Sequence, residues 1–193
     1  MQKKVWVIAL VIAVLALTIS RCSTSRKPDY SADVVATTNG YTSTYKIYVS
    51  GKKDRIEGDL CGRQQISIFD RDNYVAYILL PDQKIAQVMK LKSVQAYETV
   101  FGDFEKRLGR DVKREKVGPD YVEGILCDKY KLTQKTSRDE YIFYAWYSKE
   151  GITVKQAAED GSWSTELRNL VIDRQPPFLF EVPADYQQVE VTR

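Results

Sequence analysis

The sequence predicts a mainly β protein built around an antiparallel sheet, and two observations lead to this prediction. Short stretches of alternating polar and apolar residues recur at intervals of about ten residues, which is typical of antiparallel all-β folds. Turn dipeptides such as Asn39-Gly40 and Asp160-Gly161 separate these stretches, and such pairs favour tight hairpins because both positions tolerate positive φ. With 193 residues, the chain is expected to hold one domain preceded by an export segment.

Residues 1–21 have the features of a signal peptide or an N-terminal anchor. Two lysines precede an apolar run, Val5–Ile19, that only Thr18 interrupts. As a helix this run spans about 22 Å at ~1.5 Å per residue, less than a hydrocarbon core of ~30 Å. A signal peptide therefore explains the segment better than a permanent membrane span. We expect the protein to be exported to the bacterial periplasm.

The segment ends in a candidate lipid attachment site, Cys22. The run Ile19-Ser20-Arg21-Cys22 resembles the cleavage box of bacterial lipoproteins, although Arg21 stands where a small residue is expected. Cleavage after Ser20 and an uncleaved anchor are the two alternatives. Residues 22–29 suit a short polar tether, and residues 30–193 are expected to form the folded domain.

The folded part of the chain is electrically neutral. The sequence has 29 basic and 26 acidic residues, and three of the basic ones lie in residues 1–21, which leaves 29 − 3 = 26 of each sign. This balance argues against a nucleic-acid partner. The absence of histidine excludes Ser-His and Cys-His triads and HExxH zinc sites. We therefore expect a protein that is not an enzyme and that has neither a cofactor nor a metal site.

Two cysteines, Cys61 and Cys127, lie in the predicted domain. In an oxidising compartment they can form a disulfide, which would stabilise the fold by about 4 kcal/mol in the chain-entropy model. Whether they do pair depends on the distance between their Cα atoms, which the sequence does not give. The disulfide is one alternative, and two free thiols are the other.

The first half of the domain is predicted to consist of six strands and one helix. The strands are Val34–Ala36, Tyr41–Val49, Lys53–Leu60, Gln65–Phe69, Tyr74–Leu80 and Lys84–Leu91. The apolar positions of Val94–Leu108 are spaced three and four apart, which predicts a helix with one apolar face that carries Tyr97, Phe101 and Phe104. This helix either plugs one face of the sheet or acts as a lid that admits an apolar ligand.

The second half is predicted to return to strands. Asp111–Val117 and Tyr121–Thr133 are expected to be separated by a turn at Gly118-Pro119, and three more strands follow between residues 139 and 186. The first of these three is apolar on both sides, with Phe143 and Ala145 on one side and Tyr144 and Trp146 on the other. Such a strand must be covered on both faces.

Several motifs carry a resemblance to a known family. The run from Gly118 through Gly124 and Cys127 to Tyr130 resembles a G-x-x-x-V-x-G-x-x-C-x-x-Y pattern. Further agreement comes from the stretches Ala145-Trp146-Tyr147-Ser148, Glu159-Asp160-Gly161-Ser162-Trp163 and Leu179-Phe180-Glu181-Val182-Pro183-Ala184-Asp185-Tyr186. Together they resemble an exported bacterial family of unknown function in the LolA/LolB-like lipoprotein-carrier superfamily. Asp185 departs from the pattern, since the family tends to have glycine there.

The resemblance implies an incomplete barrel: one curved antiparallel sheet with one or two helices across its concave face and an apolar cavity between. Carriers of this superfamily bind acyl chains there, so we expect an envelope lipoprotein that binds a lipid or a lipoprotein acyl chain. The residues expected to line the ligand are Tyr97, Phe101, Phe104, Tyr144, Trp146 and Trp163. The alternative is a protein-interaction module in which Tyr144, Trp146 and Trp163 form an external patch for another envelope protein.

Overall fold

The structure is a computed structural model, and it describes residues 28–60, 62–91, 112–135 and 139–191. Within these ranges twelve strands form one sheet. They are β1 (Tyr30–Thr38), β2 (Tyr41–Ser50), β3 (Lys53–Leu60), β4 (Arg63–Asp70), β5 (Val75–Leu80), β6 (Ile85–Lys90), β7 (Val112–Val122), β8 (Ile125–Lys135), β9 (Glu140–Ser148), β10 (Thr153–Ala158), β11 (Trp163–Ile172) and β12 (Gln187–Glu190).

The strand order is β12-β6-β5-β4-β3-β2-β1-β11-β10-β9-β8-β7. The described strands thus form one open, curved sheet that does not close into a barrel, which confirms the predicted fold class. Neighbouring strands pair antiparallel, except that β12 runs parallel to β6. The described residues contain no α-helix; the predicted helix at Val94–Leu108 lies outside them. No helix in the described part is long and apolar enough to cross a membrane.

Local sequence explains most of the hairpins. At the β1–β2 turn, Asn39 and Gly40 have φ values of 50° and 82°, the paired positive angles of a two-residue hairpin. The turn predicted at Gly118-Pro119 is wrong. These residues lie inside β7, where the register with β8 shifts between Lys116 and Gly118 and forms a bulge. The hairpin turns instead at Glu123-Gly124, which have φ values of 48° and 77°.

The segment after β11 covers one face of the β3–β6 half of the sheet. A 3-10 turn at Pro177–Phe180 buries Phe180 against Ile68 and Leu79. Arg55 donates from its guanidinium to the carbonyl oxygen of Leu179 at 2.8 Å. The chain then adds β12 beside β6, a strand that the sequence patterns did not predict.

The exposed edge strand β7 carries features that discourage pairing with other chains. Lys113, Arg114 and Lys116 place positive charges along it, the bulge breaks its register, and Pro119 lacks a backbone donor. These are devices by which natural edge strands avoid aggregation.

Candidate functional site

Strand β9 contributes to two apolar surfaces, one on each side of the sheet. Phe143 lies opposite Leu132 of β8, whereas Trp146 lies opposite Lys129 of β8 and Lys155 of β10. Successive side chains of a strand point to opposite faces. The sheet therefore has a Phe143 face, which includes Leu132 and Ala145, and a Trp146 face, which includes Tyr144.

On the Phe143 face, the side chains of β8 and β9 are closely packed. Leu132, Phe143 and Ala145 are each at most 2% exposed. Half-buried Trp163 packs against this cluster, with its ring centroid 6.1 Å from that of Phe143. The contacts here are between apolar groups.

The Phe143 face continues across the whole sheet. Through strand register, Ala145, Gln156, Thr165 and Ala36 form one row on this face. By strand register the same face also carries apolar side chains of the central and distal strands: Val34, Leu167, Tyr45, Ala32, Ile47, Ile56, Phe69 and Ala76. The first five of these belong to one core cluster with Trp146 and Cys127, so apolar packing connects the two faces in the middle of the sheet. A buried carboxylate, Asp54, also lies on this face, and Arg71 binds it at 3.2 Å. The result is a long, mainly apolar face that Gln156, Thr165 and the Asp54–Arg71 pair interrupt.

The Trp146 face is covered in a different way. The indole N–H of Trp146 donates to Asp120 at 2.9 Å. The Lys129 ammonium lies 4.7 Å from the centroid of the Trp146 ring and 4.9 Å from that of Tyr144. Lys155 also lies over Trp146, at 5.6 Å, while it binds Glu166 at 2.8 Å. Aromatic rings on this face are thus shielded by lysine side chains that are themselves paired with carboxylates.

Hydrogen bonds link the polar groups of this face to its aromatic side chains. The hydrogen bond from the Trp146 indole holds the pKa of Asp120 below its usual value, and the Tyr121 amide acts in the same direction. Tyr144 donates its hydroxyl to Glu159 at 3.0 Å, and Lys131 binds the same carboxylate at 3.2 Å. An apolar ligand would have to displace this network to reach Trp146.

Cys127 lies on the Trp146 face as a buried free thiol, in one apolar cluster with Trp146 and Val122. Burial raises the pKa of the Cys127 thiol, and the charge of Asp120 adds to this shift. Its expected partner, Cys61, lies outside the described residues. In sequence, Cys61 directly follows β3, whereas Cys127 lies on β8. Five strands separate β3 from β8 in the sheet.

An arginine at one end of the Phe143 face was not predicted from the sequence. Arg114 of β7 lies opposite Leu132. Its guanidinium carbon is 4.0 Å from the ring centroid of Tyr130 and 4.6 Å from that of Tyr147. The two rings meet edge to face, with centroids 5.8 Å apart. Charged and aromatic groups thus border the apolar surface at this end.

The comparisons with known proteins place this geometry in a family. The family described as "Domain of unknown function (DUF4412)" matches residues 33–150, more than half of the chain. The chain belongs to the DUF4412 family. The expectation that the chain belongs to a family of unknown function is thereby confirmed. No curated protein matches the chain.

Solved structures support the DUF4412 fold. An uncharacterized conserved protein from Thermus thermophilus matches with a TM-score of 0.57 at 11% identity, over 92% of this chain and 99% of that one. MucB of Pseudomonas aeruginosa, solved in a MucA/MucB complex, matches with a TM-score of 0.58 at 20% identity, over 86% of this chain. The chain spans 60% of that MucB chain. These likenesses establish the fold.

The structure brings together only some of the predicted lining residues of this DUF4412 protein. Tyr144 and Trp146 are neighbours, with ring centroids 6.2 Å apart. Trp163 packs on the opposite face with Phe143, so it does not share a surface with them. The external patch expected from the three residues is therefore not formed, and Trp146 itself is buried. The other predicted site residues lie outside the described residues: Cys22, Tyr97, Phe101 and Phe104.

Proposed function

We propose that this protein is a non-enzymatic component of the bacterial envelope that binds the acyl chain of a lipid or lipoprotein on its Phe143 face. The observation that carries the proposal is the apolar surface that runs from Leu132 on β8 to Ala76 on β5. The resemblance of the sequence motifs to the LolA/LolB-like lipoprotein-carrier superfamily supports it. The helix at Val94–Leu108 remains a predicted cover of this face.

Burial of an acyl chain supplies the driving force. Each methylene taken out of water contributes about 0.8 kcal/mol before the cost of ordering the chain is subtracted. Leu132 and Phe143 are buried already, whereas Tyr147 and Trp163 are half-buried. We therefore place the first contacts of the ligand at Tyr147 and Trp163.

Tryptophan fluorescence tests both the binding and the face. The chain has three tryptophans: Trp6, Trp146 and Trp163. In a Trp6→Phe background, Trp146→Phe leaves Trp163 as the reporter on the Phe143 face. Trp163→Phe leaves Trp146 as a matched reporter on the other face. Both proteins would be stripped of lipid and titrated with a brominated fatty acid, which quenches indoles in close contact.

The expected result is saturable quenching of Trp163 at micromolar fatty acid, with much weaker quenching of Trp146. Quenching of Trp146 alone would move the ligand to the other face. Absence of quenching at both positions, together with no binding of a fluorescent fatty acid, would show that the Phe143 face is only a core.

The envelope location has its own test. We propose that the exported protein is anchored through Cys22, the cysteine of the lipoprotein-like box. Wild type and Cys22→Ser would be compared for incorporation of labelled fatty acid in growing cells. Labelling that depends on Cys22 is expected. Equal labelling of both proteins would exclude this anchor and point to Arg21 as the residue that blocks processing.

A protein partner in the envelope is the second candidate function. The MucB structure that this chain resembles was solved as a complex with MucA. This chain also exposes an apolar cross-strand pair, Tyr121 and Leu126, beside the edge strand β7. Cross-linking in cells would compare Tyr121→Ser with Tyr41→Ser, which changes another exposed tyrosine, on the β1–β2 hairpin. A cross-linked species that only Tyr121→Ser removes would support this function.

A further inference from the structure

Strand register shows which strand ends and turns lie together at one end of the sheet. β1 begins at Tyr30, which pairs with Val49 near the end of β2 and with Ile172 at the end of β11. Four connections between strands lie at this same end: 51–52, 71–74, 123–124 and 149–152. We call it the tether end, because residues 22–29 precede β1 there.

Large apolar side chains are exposed at the tether end. Tyr121 and Leu126 lie opposite each other near the turn of the β7–β8 hairpin, and they are 69% and 54% exposed. We call them the exposed pair. Val171 and Ile172, the last two residues of β11, are also exposed. Two different parts of the sheet thus present apolar groups to solvent at the same end.

An ion pair brings these two parts together. The carboxylate of Glu123, at the turn of the β7–β8 hairpin, lies 3.6 Å from the guanidinium of Arg168 on β11. Two strands separate β8 from β11 in the sheet, so the turn bends toward β11 to make this contact. Val122 and Ile125 flank the turn and pack in one cluster with Leu167 of β11. Because neighbouring residues of a strand point to opposite sides, the exposed pair faces outward.

The opposite end of the sheet differs in its surface. Among the residues that the structure describes, its large exposed apolar side chains are two tyrosines, Tyr41 and Tyr141. Tyr41 begins β2 and Tyr141 lies on β9, with three strands between them. Single exposed apolar side chains are normal on a protein surface, whereas a group of them marks an interaction site. The tether end therefore suits an apolar partner better than the opposite end does.

Charged side chains at the tether end form ion pairs with one another. Lys52 binds Asp72 at 2.6 Å, and Lys149 lies 3.6 Å from Glu150. Such pairing keeps this surface close to neutral, so contact with a partner depends on its apolar groups. The boundary between phospholipid headgroups and acyl chains fits these groups. Aliphatic side chains enter the apolar layer there, and tyrosine keeps its hydroxyl in the wet one.

The proposed anchor places the tether end beside a membrane. Eight residues lead from Cys22 to Tyr30, and a fully extended chain of that length spans roughly 28 Å at ~3.5 Å per residue. β1 has nine residues and is about 30 Å long. An anchor at Cys22 thus holds the tether end close to the bilayer. The opposite end could reach the bilayer only with the tether fully extended along the sheet.

We propose that the tether end docks on the surface of the phospholipid membrane that holds the anchor, and that it inserts Tyr121, Leu126, Val171 and Ile172. This inference rests on the proposed anchor and goes beyond acyl-chain binding on the Phe143 face. Docking orients the domain so that its strands rise from the membrane. By alternation along β8, Leu126 lies on the Phe143 face, so docking brings one end of that face to the lipid.

Tryptophan reporters in the full-length protein test the docking. Trp6→Phe is the parent protein, and its emission from Trp146 and Trp163 is subtracted. Tyr121→Trp places a reporter at the tether end. Tyr141→Trp, the matched control, replaces an exposed tyrosine at the opposite end. Each protein would be purified with its anchor and reconstituted into vesicles of phosphatidylcholine and phosphatidylglycerol in equal parts, with and without bromine on the acyl chains.

We expect the brominated vesicles to quench the Tyr121→Trp reporter and to leave the Tyr141→Trp reporter unchanged. Added to the Tyr121→Trp protein, Leu126→Ser should lower the ratio of docked to undocked protein by about ten-fold, because docking no longer buries a leucine. Tyr41→Ser, at the opposite end, should not change this ratio. If Leu126→Ser loses its strands by far-ultraviolet circular dichroism, Val171→Ser takes its place with the same expected direction.

Four results would overturn the inference. Equal quenching of both reporters, or of neither, in vesicles that carry the protein would refute docking through the tether end and leave the anchor standing. Absence of quenching together with a cross-linked species in cells that depends on Tyr121 would assign the surface to a protein partner. Quenching of the Tyr121→Trp reporter by a brominated fatty acid without vesicles would place this residue on the ligand surface instead. Protein that does not float with vesicles, with equal labelling of wild type and Cys22→Ser, would refute both the anchor and the docking.

Discussion

The two faces of β9 bury aromatic side chains by different means. On the Phe143 face, Phe143 and Leu132 are covered by other apolar groups. On the Trp146 face, Trp146 reaches a similar burial under Lys129 and Lys155, while its indole donates to Asp120. A strand that looks equally apolar on both sides in sequence therefore has one face closed by apolar packing and another on which apolar packing is combined with lysine side chains and a hydrogen-bonded indole.

This difference decides which face suits an acyl chain. A ligand on the Trp146 face would have to separate lysines from their carboxylates and leave the indole donor without an acceptor, and unpaired polar groups are costly under an apolar cover. On the Phe143 face, the proposed acyl chain would exchange one apolar contact for another. The comparison can be tested by weakening each face in turn.

The largest effect is expected from Phe143→Ala. Deletion of a buried phenylalanine removes its transfer free energy and leaves a cavity, at a typical cost of about 3–5 kcal/mol. Urea unfolding followed by circular dichroism measures this loss. Phe178→Ala is the control, because Phe178 is 68% exposed. A loss below about 1 kcal/mol for Phe143→Ala would mean that the face is loosely packed or readily rearranged.

A smaller effect is expected from Lys129 on the opposite face. Its cation–π contacts with Trp146 and Tyr144 are worth about 0.5–1 kcal/mol. In a protein with Trp146 as its only tryptophan, Lys129→Ala should shift the emission to longer wavelength, since water reaches the indole. Lys129→Met keeps an apolar stem of similar reach and should shift it less. Identical emission in all three proteins would show that other groups cover Trp146.

The charge network of the Trp146 face should make part of the stability depend on pH. The indole hydrogen bond lowers the pKa of Asp120 from 3.8 in the folded protein, so its contribution is present above that value and is lost as the pH falls through the folded pKa. Trp146→Phe removes the donor. The difference in unfolding midpoint between wild type and Trp146→Phe should therefore be larger at about pH 7 than near pH 2. A constant difference would assign the effect of Trp146→Phe to packing alone.

Local patterns predicted the sheet well and the candidate site only in part. The doubly apolar character of β9 follows from alternation, and Asp160-Gly161 marks the turn between β10 and β11. Cross-strand register is not a local property. The register of β10 against β9 shifts between Thr153 and Lys155. Trp163 begins the next strand, β11, and sequence alternation alone does not reveal on which face of the sheet its side chain lies, because a shift of one residue reverses the faces.

Cross-strand register also explains why the position of Arg114 was not predicted. A turn was expected at Gly118-Pro119, which would end the strand there and give Arg114 a partner other than Leu132. Glycine and proline signal a bulge in an edge strand as well as a turn, and only the pairing with β8 separates the two. The parallel strand β12 was missed because its residues are exposed and all but Val189 are polar, and it depends on β6 for its pairing.

The smallest perturbation concerns Cys127, which lies on the Trp146 face and is 2% exposed. The sequence left a disulfide with Cys61 open, whereas the structure has Cys127 as a free thiol on a strand that five others separate from β3. Burial raises the pKa of this thiol, and both burial and protonation slow alkylation.

In Cys22→Ser/Cys61→Ser protein, Cys127 should resist iodoacetamide in buffer and react fully in urea without reductant. In Cys22→Ser protein, where only Cys61 and Cys127 remain, urea alone should release two reactive thiols. Two thiols that appear only after reduction would show that the disulfide forms in the cell, and that β3 and β8 approach each other more closely than the strand order indicates.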